Sequence, residues 1–415
     1  MLRNIGRLSL LMYPPLSLIA QDTGPTLKSL YSFDCSGPSY PLAGVAVGSG
    51  GVLYGTTRNG GSSACDYNTY LYGCGAVYSL KPPVAQGQPW TVQYLYEFTG
   101  NADGAWPVGN IAVGSDGVLY GTTLVAGEGN GTVFSLTPPT SGDSWTFNTI
   151  YSFPGGSYGA APWAGVVIGK GGVLYGTTST GPVYSLTPPA SPGGAWTETV
   201  LSGNSPPGSA PLSPVVIGGD GRLYGTSRAG GTSPKNGLVF SVPEAGGGEN
   251  AVYDFTGSPN GSLPGPVTRS SEGVLYGTTM LGGNGGCPAV DGCGIVFSLT
   301  PQSGVWTEQI LYSFSHKSGG WDPAGAVTIG GEGVLYGAAQ FGGKQACDEG
   351  CGTLFSLKPP ASSGGAWTYQ VLHLFSGTDG GSPNGSLVRA GEHLLFGTTY
   401  IGGAYGCGTV FGLEF

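Results

Sequence analysis

Short segments in which apolar and polar residues alternate run along almost the whole chain, and clusters of glycine and proline separate them. One group of such segments comprises residues 110–113, 118–123, 132–136 and 145–153. Alternation with a period of two, in segments rich in Val, Tyr, Thr and Phe, is typical of half-buried β-strands. The pattern predicts an all-β protein built from groups of four short antiparallel strands, which we call a, b, c and d.

The phrase Leu-Tyr-Gly recurs in strand b of every group, seven times in all, with spacings of 66, 55, 49, 52, 60 and 60 residues. The copies begin at Leu53, Leu119, Leu174, Leu223, Leu275, Leu335 and, as Leu-Phe-Gly, Leu395. Repeats of roughly 50 residues cannot bury a core alone and have to pack against their neighbours. Seven repeats of four antiparallel strands predict a seven-bladed β-propeller.

The two ends of the chain complement each other. Residues 27–33 form a lone strand d, and residues 409–415 form a lone strand c with no strand d after it. We expect the N-terminal strand to complete the last blade and close the ring, which removes two free sheet edges. Residues 21–415 are therefore predicted to be a single propeller domain. Its blades start near residues 41, 107, 162, 211, 264, 323 and 383, where a proline precedes each strand a.

Two longer phrases recur in a fixed order, Gly-Val-Leu-Tyr-Gly-Thr-Thr at residues 51–57 and Gly-Thr-Val-Phe-Ser-Leu at residues 131–136. Together with the Leu-Tyr-Ser-Phe segments, they resemble the GloVer (Gloeo/Verruco) tandem repeat of bacterial exported and surface proteins over residues 27–415. The resemblance implies a secreted or surface-attached bacterial propeller. It brings no established catalytic residues that can be assigned to positions of this chain.

Composition excludes several classes of protein. Glycine accounts for 82 of the 415 residues without a three-residue period, which excludes a collagen helix. The 23 Tyr, 15 Phe and 8 Trp residues supply enough apolar surface for a folded core. Only 9% of the residues are charged and the net charge is -9, so no basic stripe is available for nucleic acid or an anionic membrane. We expect a monomer with a neutral, hydrogen-bonding surface that suits the extracellular space.

The N-terminus predicts export. Arg3 and Arg7 flank an apolar run over residues 8–20, and the small Ala20 ends it, as in a secretory signal peptide at residues 1–20. Two prolines within the run and the large Leu18 depart from that pattern, so an N-terminus that is not a leader is the alternative. No later segment reaches the roughly 18 apolar residues of a membrane helix, so membrane insertion is not expected. The expected location is outside the cell or on its surface.

The eight cysteines predict structural disulfides. Three pairs each fall within a single loop between strands b and c. Cys407 occupies the same repeat position as Cys74, directly before a glycine, and Cys35 follows the N-terminal strand d. Because the end of strand d lies beside the start of strand c in an antiparallel pair, Cys35 and Cys407 should be joined. The predicted bonds are Cys35–Cys407, Cys65–Cys74, Cys287–Cys293 and Cys347–Cys351, and metal binding or free thiols are the alternatives.

In an up-and-down blade, the connections from strand d to strand a and from strand b to strand c leave the same face, which we call the loop face. Its b–c loops are long in blades five, six and one, intermediate in blade seven and shortest in blade three, at residues 179–181. Blades five, six, seven and one are contiguous in a closed ring. We therefore expect them to build a wall, with blades two and three as the low side of a groove.

Aromatic residues near the low side are the candidate ligand-binding residues, because aromatic rings stack on the C–H faces of sugars and such sites are mostly apolar. They are Tyr40, Trp106, Trp163 and Trp321, with Tyr70 and Tyr72 from the long first b–c loop. Plugging of the channel mouth, and packing of the disulfide loop for the two loop tyrosines, are the alternatives. The other five tryptophans recur at the start of strand d and are predicted to be structural.

No catalytic residue, metal ligand or cofactor is assigned. The three histidines lie in different parts of the repeat, and no Ser-His-Asp motif is recognisable. Acidic residues near the loop face share no spacing that marks a carboxylate pair or a calcium site, and they are Asp103, Asp322, Asp348, Glu349 and Asp379. We interpret the chain as a non-enzymatic binding module for extracellular polysaccharide. The alternatives are a polysaccharide hydrolase or lyase with carboxylates on the same face, and a structural or adhesive protein that binds surface proteins.

Overall fold

The computed structural model describes residues 24–415 apart from short loop segments. The segments left out are residues 63–64, 66–72, 86, 126–128, 192, 203–207, 233–234, 285, 288–290, 317–318 and 363. The predicted signal peptide, residues 1–20, lies outside the described residues.

Seven four-stranded antiparallel sheets form the blades of a β-propeller. In blades one to six the spatial order of the strands is a, b, c, d, as in the sequence. Strand a is innermost and, except in blade five, only two residues long, and strand d is outermost. The predicted fold, an all-β propeller of seven blades with four antiparallel strands each, is confirmed.

The strands have the following bounds, in blade order. Strands a are Ala46–Val47, Ala112–Val113, Val167–Ile168, Val216–Ile217, Ser262–Arg269, Thr328–Ile329 and Val388–Arg389. Strands b are Leu53–Thr57, Leu119–Thr123, Leu174–Thr177, Arg222–Ser227, Leu275–Leu281, Leu335–Ala339 and Leu394–Thr399. Strands c are Ala76–Lys81, Thr132–Thr137, Val183–Thr187, Leu238–Pro243, Ile295–Gln302, Thr353–Lys358 and Thr409–Glu414. Strands d are Thr91–Glu97, Thr146–Ser152, Thr197–Val200, Asn250–Asp254, Val305–Ser313, Thr368–Leu374 and, for blade seven, Thr26–Ser32.

A few short elements lie outside the blades. Two further strands, Gly208–Ser209 and Ala229–Gly230, pair with each other in the loops of blade four. The 3-10 helices among the described residues are Ser49–Gly51, Gly156–Tyr158, Lys170–Gly172 and Gly331–Gly333.

The repeated phrase occupies strand b because each of its residues has a separate packing role. Its leucine is fully buried in every blade, as Leu119 is in blade two. Its glycine lies where an aromatic ring from strand c crosses the strand: a Cβ on Gly121 would meet the Phe134 ring, with Cε1 at 2.9 Å. Only a residue without a side chain leaves room for that ring. The phrase therefore places a large aromatic side chain inside each blade.

The aromatic residue of the phrase connects neighbouring blades. It packs edge to face against the tryptophan that opens strand d of the next blade, with ring centroids 5.6–6.3 Å apart. The pairs are Tyr54–Trp145, Tyr120–Trp196, Tyr224–Trp306, Tyr276–Trp367 and Phe396–Trp90. Edge-to-face pairs add to the burial of apolar surface between blades. The structural role predicted for these five tryptophans is confirmed.

A ring of hydrogen bonds joins the blades near the central channel. The threonine that follows Leu-Tyr-Gly donates its hydroxyl to a backbone carbonyl of the next blade, as Thr122 does to Ala164 at 3.0 Å. The donors are Thr56, Thr122, Thr177, Thr226, Thr278 and Thr398. Blade six has Ala338 at this position, and there Ser386 of blade seven accepts a hydrogen bond from the Ala326 backbone N–H at 3.0 Å. The repeat thus supplies its own connection between blades.

Blade seven closes the ring with strands from both ends of the chain. Strand Thr26–Ser32 pairs antiparallel with strand Thr409–Glu414, and Lys28 forms an ion pair with Glu414 at 3.0 Å. The disulfide Cys35–Cys407 crosses the same junction, with the two Cα atoms 5.6 Å apart and a sequence separation of 372. The predicted closure of the ring is confirmed.

The three other disulfides connect the predicted partners within single b–c loops. Their Cα–Cα distances are 5.6 Å for Cys65–Cys74, 5.4 Å for Cys287–Cys293 and 5.0 Å for Cys347–Cys351. They brace the b–c loops of blades one, five and six. All eight cysteines are thereby paired.

Candidate ligand-binding site

The d–a and b–c connections meet on the loop face, because the segment before each strand a pairs with the b–c loop of its own blade. Antiparallel backbone bridges join Ser39 to Asn59, Ala105 to Val125, Trp321 to Phe341 and Gly381 to Ile401. In blade three the b–c loop is a tight turn, in which Gly181 donates a hydrogen bond to the Thr178 carbonyl at 3.1 Å. The loop face therefore has a rigid inner frame of paired backbone.

One residue of each blade carries left-handed backbone in that frame. Each precedes the proline of its blade and has a φ angle between 53° and 60°, a region that residues other than glycine adopt uncommonly. They are Tyr40, Trp106, Ala161, Ala210, Leu263, Asp322 and Ser382. The Trp106 backbone N–H donates to the carbonyl of Cys74 in the preceding blade at 2.9 Å, and similar bonds recur at most of the other blade junctions. These bonds hold the uncommon conformation in place.

Tyr40 and Trp106 occupy this frame on blades one and two, and both are half-buried. The Tyr40 ring lies 5.4 Å from the Tyr400 ring. Trp106 donates its indole N–H to the Gly73 carbonyl at 3.2 Å, and the Arg58 guanidinium lies 5.6 Å from the centroid of its ring. Both rings are thus held in fixed positions while part of their surface is open.

Trp163 occupies a different position from Trp106, because it follows the proline of blade three instead of preceding it. It is half-buried and lines the central cavity described below. The structure places Tyr40, Trp106 and Trp163 on three successive blades around the channel. Tyr70 and Tyr72 lie outside the described residues.

Trp321 differs from the other candidates because it is a core residue. Its side chain is only 7% exposed and belongs to the apolar cluster between blades five and six. Its ring lies 4.7 Å from the Phe341 ring, which sits on the b–c loop paired with it. A ring packed in this way has no free face for a sugar, so the binding proposal below does not include Trp321.

A cavity of about 260 Å³ lies at the centre of the loop face, where the seven blades meet. Every blade contributes to its wall. Its polar lining includes the amides of Asn110, Gln340 and Asn384 and the guanidinium of Arg228, and Trp163 and Met280 add apolar surface. Aromatic surface next to a few convergent polar groups is typical of ligand-binding sites.

Arg228 was missed by the sequence analysis, although the repeat contains a signal for it. The residue after the strand-b segment Leu-Tyr-Gly-Thr-Thr, or its variants, varies among the blades, and only arginine occurs there twice. The seven residues are Arg58, Leu124, Ser179, Arg228, Met280, Gln340 and Tyr400. Arg228, Met280 and Gln340 line the cavity. A position that varies within an otherwise regular repeat is where the blades differ in what they offer to a ligand.

Two of the five candidate carboxylates stabilise loops. Asp103 accepts hydrogen bonds from the backbone and hydroxyl of Thr99, at 2.7 and 2.8 Å, and from the Tyr96 hydroxyl at 3.0 Å. Asp379 accepts equivalent bonds from Ser376 at 2.8 Å and lies 2.9 Å from the His373 ring nitrogen. Burial opposes ionisation of Asp379, but the bonds from Ser376 and His373 outweigh it and lower the pKa of this carboxyl.

Asp322 has the most unusual surroundings of the five candidate carboxylates. It is only 8% exposed, and its Oδ1 has no hydrogen-bond partner. Burial raises its pKa to about 7, with a smaller upward contribution from Glu349, while the positive charge of Arg228 acts in the opposite direction. Glu349 and Asp348 are exposed on the b–c loop of the same blade. Of the five carboxyls, Asp322 alone combines burial, an unpartnered oxygen and a strongly raised pKa.

Metal-binding clusters and membrane-spanning helices are both missing from the described part of the chain. No group of three or more His, Cys, Asp or Glu residues there is arranged to hold a metal ion. None of the helices in the described ranges is long and apolar enough to cross a membrane.

A sequence-family model matches the chain. The model of the Gloeobacter/Verrucomicrobia repeat matches residues 18–185, 67–290 and 288–415, which together cover nearly the whole chain. No curated protein matches the chain.

Two solved structures show the same fold. The extracellular domain of BT4673 from B. thetaiotaomicron, assigned to the one-component systems, is 10% identical with a TM-score of 0.54, over 92% of this chain and 40% of that one. PorZ, a surface component of the type-IX secretion system of Porphyromonas gingivalis, is 14% identical with a TM-score of 0.53, over 92% and 48% of the two chains. The chain thus spans less than half the length of either protein. At this identity the similarity extends to the propeller fold alone.

Proposed function

The chain belongs to the Gloeobacter/Verrucomicrobia repeat family, and from this premise we propose that it is a non-enzymatic binding module that holds extracellular polysaccharide on its loop face. The observation that carries the proposal is the placement of Tyr40, Trp106 and Trp163. These half-buried rings lie on three successive blades, and Trp163 lines the cavity with its amide groups. Fixed aromatic surface next to hydrogen-bonding groups is the combination that a sugar chain needs.

The amide groups of the cavity support a hydrogen-bonding role. The described structure gives no protein hydrogen bond to the side chains of Asn110, Gln340 or Asn384, all of which line the cavity. Each amide supplies both donors and an acceptor, and sugar hydroxyls match that combination. Because the rings and the backbone beneath them are already fixed, little conformational entropy is lost when a sugar binds.

The four disulfides support a location outside the cytoplasm, because such bonds persist in oxidising compartments. An extracellular or cell-surface location, reached through the N-terminal leader, completes the proposal. It also sets the class of ligand, since polysaccharides are abundant at bacterial and plant surfaces. Direct binding of nucleic acid is disfavoured by the net charge of -9.

Binding of the purified protein to a panel of plant, fungal and bacterial polysaccharides tests the proposal. A Trp106→Ala/Trp163→Ala variant is compared with Val305→Ala, which removes an apolar side chain 67% exposed at the c–d turn of blade five, on the opposite face. We expect the double variant to lose at least roughly ten-fold in affinity and the control to bind as wild type, since two stacking contacts are removed. Retained binding by a folded double variant, or no binding to any polysaccharide, contradicts the proposal.

A polysaccharide hydrolase is the second candidate, and Asp322 is the observation that favours it. A general acid for glycosidic cleavage needs a raised pKa and a second carboxylate nearby, and the charge of Glu349 does act on Asp322. Shortening of the bound polymer, lost in Asp322→Asn, would favour this candidate over the binding module. Adhesion through an apolar patch receives less support. The exposed large apolar side chains of the described residues lie on different blades or loops: Val84, Tyr158, Val305, Leu374 and Tyr405.

A further inference from the structure

We propose that the cavity of the loop face binds an oxyanion of the saccharide, a uronate carboxylate or a sulfate ester, through the guanidinium of Arg228. The inference rests on the proposed function and deepens it, because it names the class of polysaccharide that the face holds. It therefore predicts acidic glycans as ligands in preference to neutral ones.

Arg228 lines the cavity and has a hydrogen-bond donor that no protein group accepts. It directly follows strand b of blade four, and its backbone N–H donates to the Ala210 carbonyl at 3.2 Å. Its Nε is buried without a hydrogen-bond partner. An unpaired buried N–H costs free energy, and for a charged group the cost is larger. An oxyanion in the cavity would satisfy this donor with a charge-assisted hydrogen bond.

The remaining lining of the cavity is neutral. Among the residues that form its wall, Arg228 alone carries a charged side chain. The local charge of the cavity is therefore positive, although the whole chain has a net charge of -9. The amides of Asn110, Gln340 and Asn384 can donate further hydrogen bonds to the same oxyanion or to neighbouring hydroxyls.

Arg58 occupies the equivalent position in blade one, but its guanidinium has different surroundings. It follows strand b of blade one, as Arg228 follows strand b of blade four. Its guanidinium lies 5.6 Å from the centroid of the Trp106 ring, and it does not line the cavity. A cation over an aromatic face has a favourable partner. The Arg58 Nε, like that of Arg228, makes no hydrogen bond, so the position on the cavity wall is what distinguishes Arg228. Of the two arginines, Arg228 is the one placed to meet a ligand.

Asp322 is the opposing charge that an incoming oxyanion has to compete with. Its attraction to Arg228 acts on both groups, and burial is the larger influence on each. Because burial raises the pKa of Asp322 to about 7, this carboxyl is largely protonated at pH 5.5 and largely ionised at pH 8.5. The exposed Glu349 is the other charged group acting on it. The charge of Arg228 is thus least compensated in mildly acidic solution.

Calorimetric titration of the full chain with four probes tests the inference. The probes are oligogalacturonate, its methyl-esterified form, a sulfated galactan oligosaccharide and its desulfated form. We expect at least one of the two acidic probes to bind at least ten times more tightly than its neutral partner. The pair that shows the difference identifies carboxylate or sulfate as the oxyanion.

Two variants assign that difference to Arg228. Arg228→Gln should abolish the preference for the acidic probe, so that the acidic probe and its neutral partner bind with affinities within about two-fold of each other. Lys170→Gln is the matched control, because it removes one positive charge from an exposed turn of the opposite face. It should bind all four probes as wild type does. An unchanged preference in folded Arg228→Gln overturns the inference.

A third variant keeps the test decisive if Arg228→Gln does not fold. Met280→Glu introduces a negative charge at the equivalent position of blade five, on the wall of the same cavity. It should weaken binding of the acidic probe at least ten-fold more than binding of its neutral partner. Wild-type protein that binds neutral probes but shows no acidic preference overturns this inference and leaves the proposed function standing. Protein that binds no saccharide at all overturns the proposed function itself.

Discussion

Glu249, a single carboxylate, couples the stability of the propeller to pH. It is half-buried beside Gly208 of the neighbouring loop, and its Oε1 has no hydrogen-bond partner. Burial raises its pKa from 4.5 to about 8, against a smaller opposite effect of the backbone hydrogen bond from Gly208. Between these two values the folded state binds the proton more tightly than the unfolded state. The contribution of Glu249 to stability is therefore complete below pH 4.5 and is lost as the pH rises through about 8.

Glu249→Gln should remove this dependence on pH. We expect the variant to be more stable than wild type at pH 9 by about 1–3 kcal/mol, because no charge has to be buried. The difference should shrink toward zero near pH 4, where the wild-type carboxyl is protonated in both states. Thermal unfolding measured from pH 4 to 9 checks this, with the exposed Glu97→Gln as the control. A stability difference that is independent of pH would show that the carboxyl does not titrate as expected.

Residue identity at the candidate site is visible in the sequence, whereas exposure is not. Trp106 and Trp321 both stand near the proline of their blade, and both were predicted to line the groove. The structure leaves Trp106 half open and buries Trp321 against Phe341, because Trp321 lies one position earlier and faces the b–c loop. The two tryptophans thus differ in backbone position, since Trp106 carries the left-handed φ of 58°, and in blade six that conformation falls on Asp322. Without the pairing partner, the sequence does not indicate which side is buried.

Within each blade, the glycine of strand b leaves the space that the aromatic ring of strand c occupies. A Cβ at Gly121 would meet the Phe134 ring and lie 3.0 Å from Ile111 Cδ1. We expect Gly121→Ala to destabilise the protein by about 2–3 kcal/mol, because overpacking forces the ring from its position. The double variant Gly121→Ala/Phe134→Leu should recover part of that loss, since it removes the opposing ring atoms.

Urea unfolding of the single and double variants measures this coupling. Gly219→Ala is the control, because this glycine has no positive φ angle and a Cβ there meets only Arg269 Nη1 at 3.9 Å. Strictly additive effects of Gly121→Ala and Phe134→Leu would mean that a methyl group at residue 121 does not clash with the Phe134 ring.

Strands b, c and d of a blade could be predicted from the sequence to within one residue, but strand a could not. In blade two, residues 118–123, 132–136 and 145–153 were predicted, and the strands are Leu119–Thr123, Thr132–Thr137 and Thr146–Ser152. The predicted strand at residues 110–113 is reduced to Ala112–Val113. The residues before it pack their backbone against the next blade, as Gly109 does against Gly165. Apolar alternation cannot distinguish this contact from a sheet ladder, because both bury the segment.

For the whole molecule, the Cys35–Cys407 disulfide is the largest single constraint on the unfolded chain. Its cysteines have a sequence separation of 372, whereas Cys347 and Cys351 have a separation of 4. The loop-entropy model assigns roughly 4–6 kcal/mol to a bond of the first kind and about 2 kcal/mol to one of the second. We expect Cys35→Ala/Cys407→Ala to lower the urea midpoint far more than Cys347→Ala/Cys351→Ala does. Equal losses in the two variants would mean that local packing, and not chain entropy, determines what these bonds contribute.

The arrangement of the whole molecule could be predicted because the repeat and the unmatched end strands leave few alternatives. Seven copies of a four-stranded unit close a ring, and only the N-terminal strand is available to complete the last sheet. The binding site could not be predicted in the same way. The cavity is built from one or a few residues of every blade, and the distances among Arg228, Asn384 and Trp163 along the chain are long. Their meeting follows from the ring and not from any motif.

Because blade seven combines strands from both ends of the chain, its sheet is the last one that can form. Strand Thr26–Ser32 is synthesised first, but its partner Thr409–Glu414 is synthesised last. Until the two meet, the nascent propeller carries an open sheet edge and an unpaired strand, and such long-range pairings form slowly. The N-terminal strand of a second copy has the same sequence and fits the same edge. Strand exchange between copies therefore competes with ring closure. The Cys35–Cys407 bond joins residues of one chain after ring closure and of two chains after strand exchange.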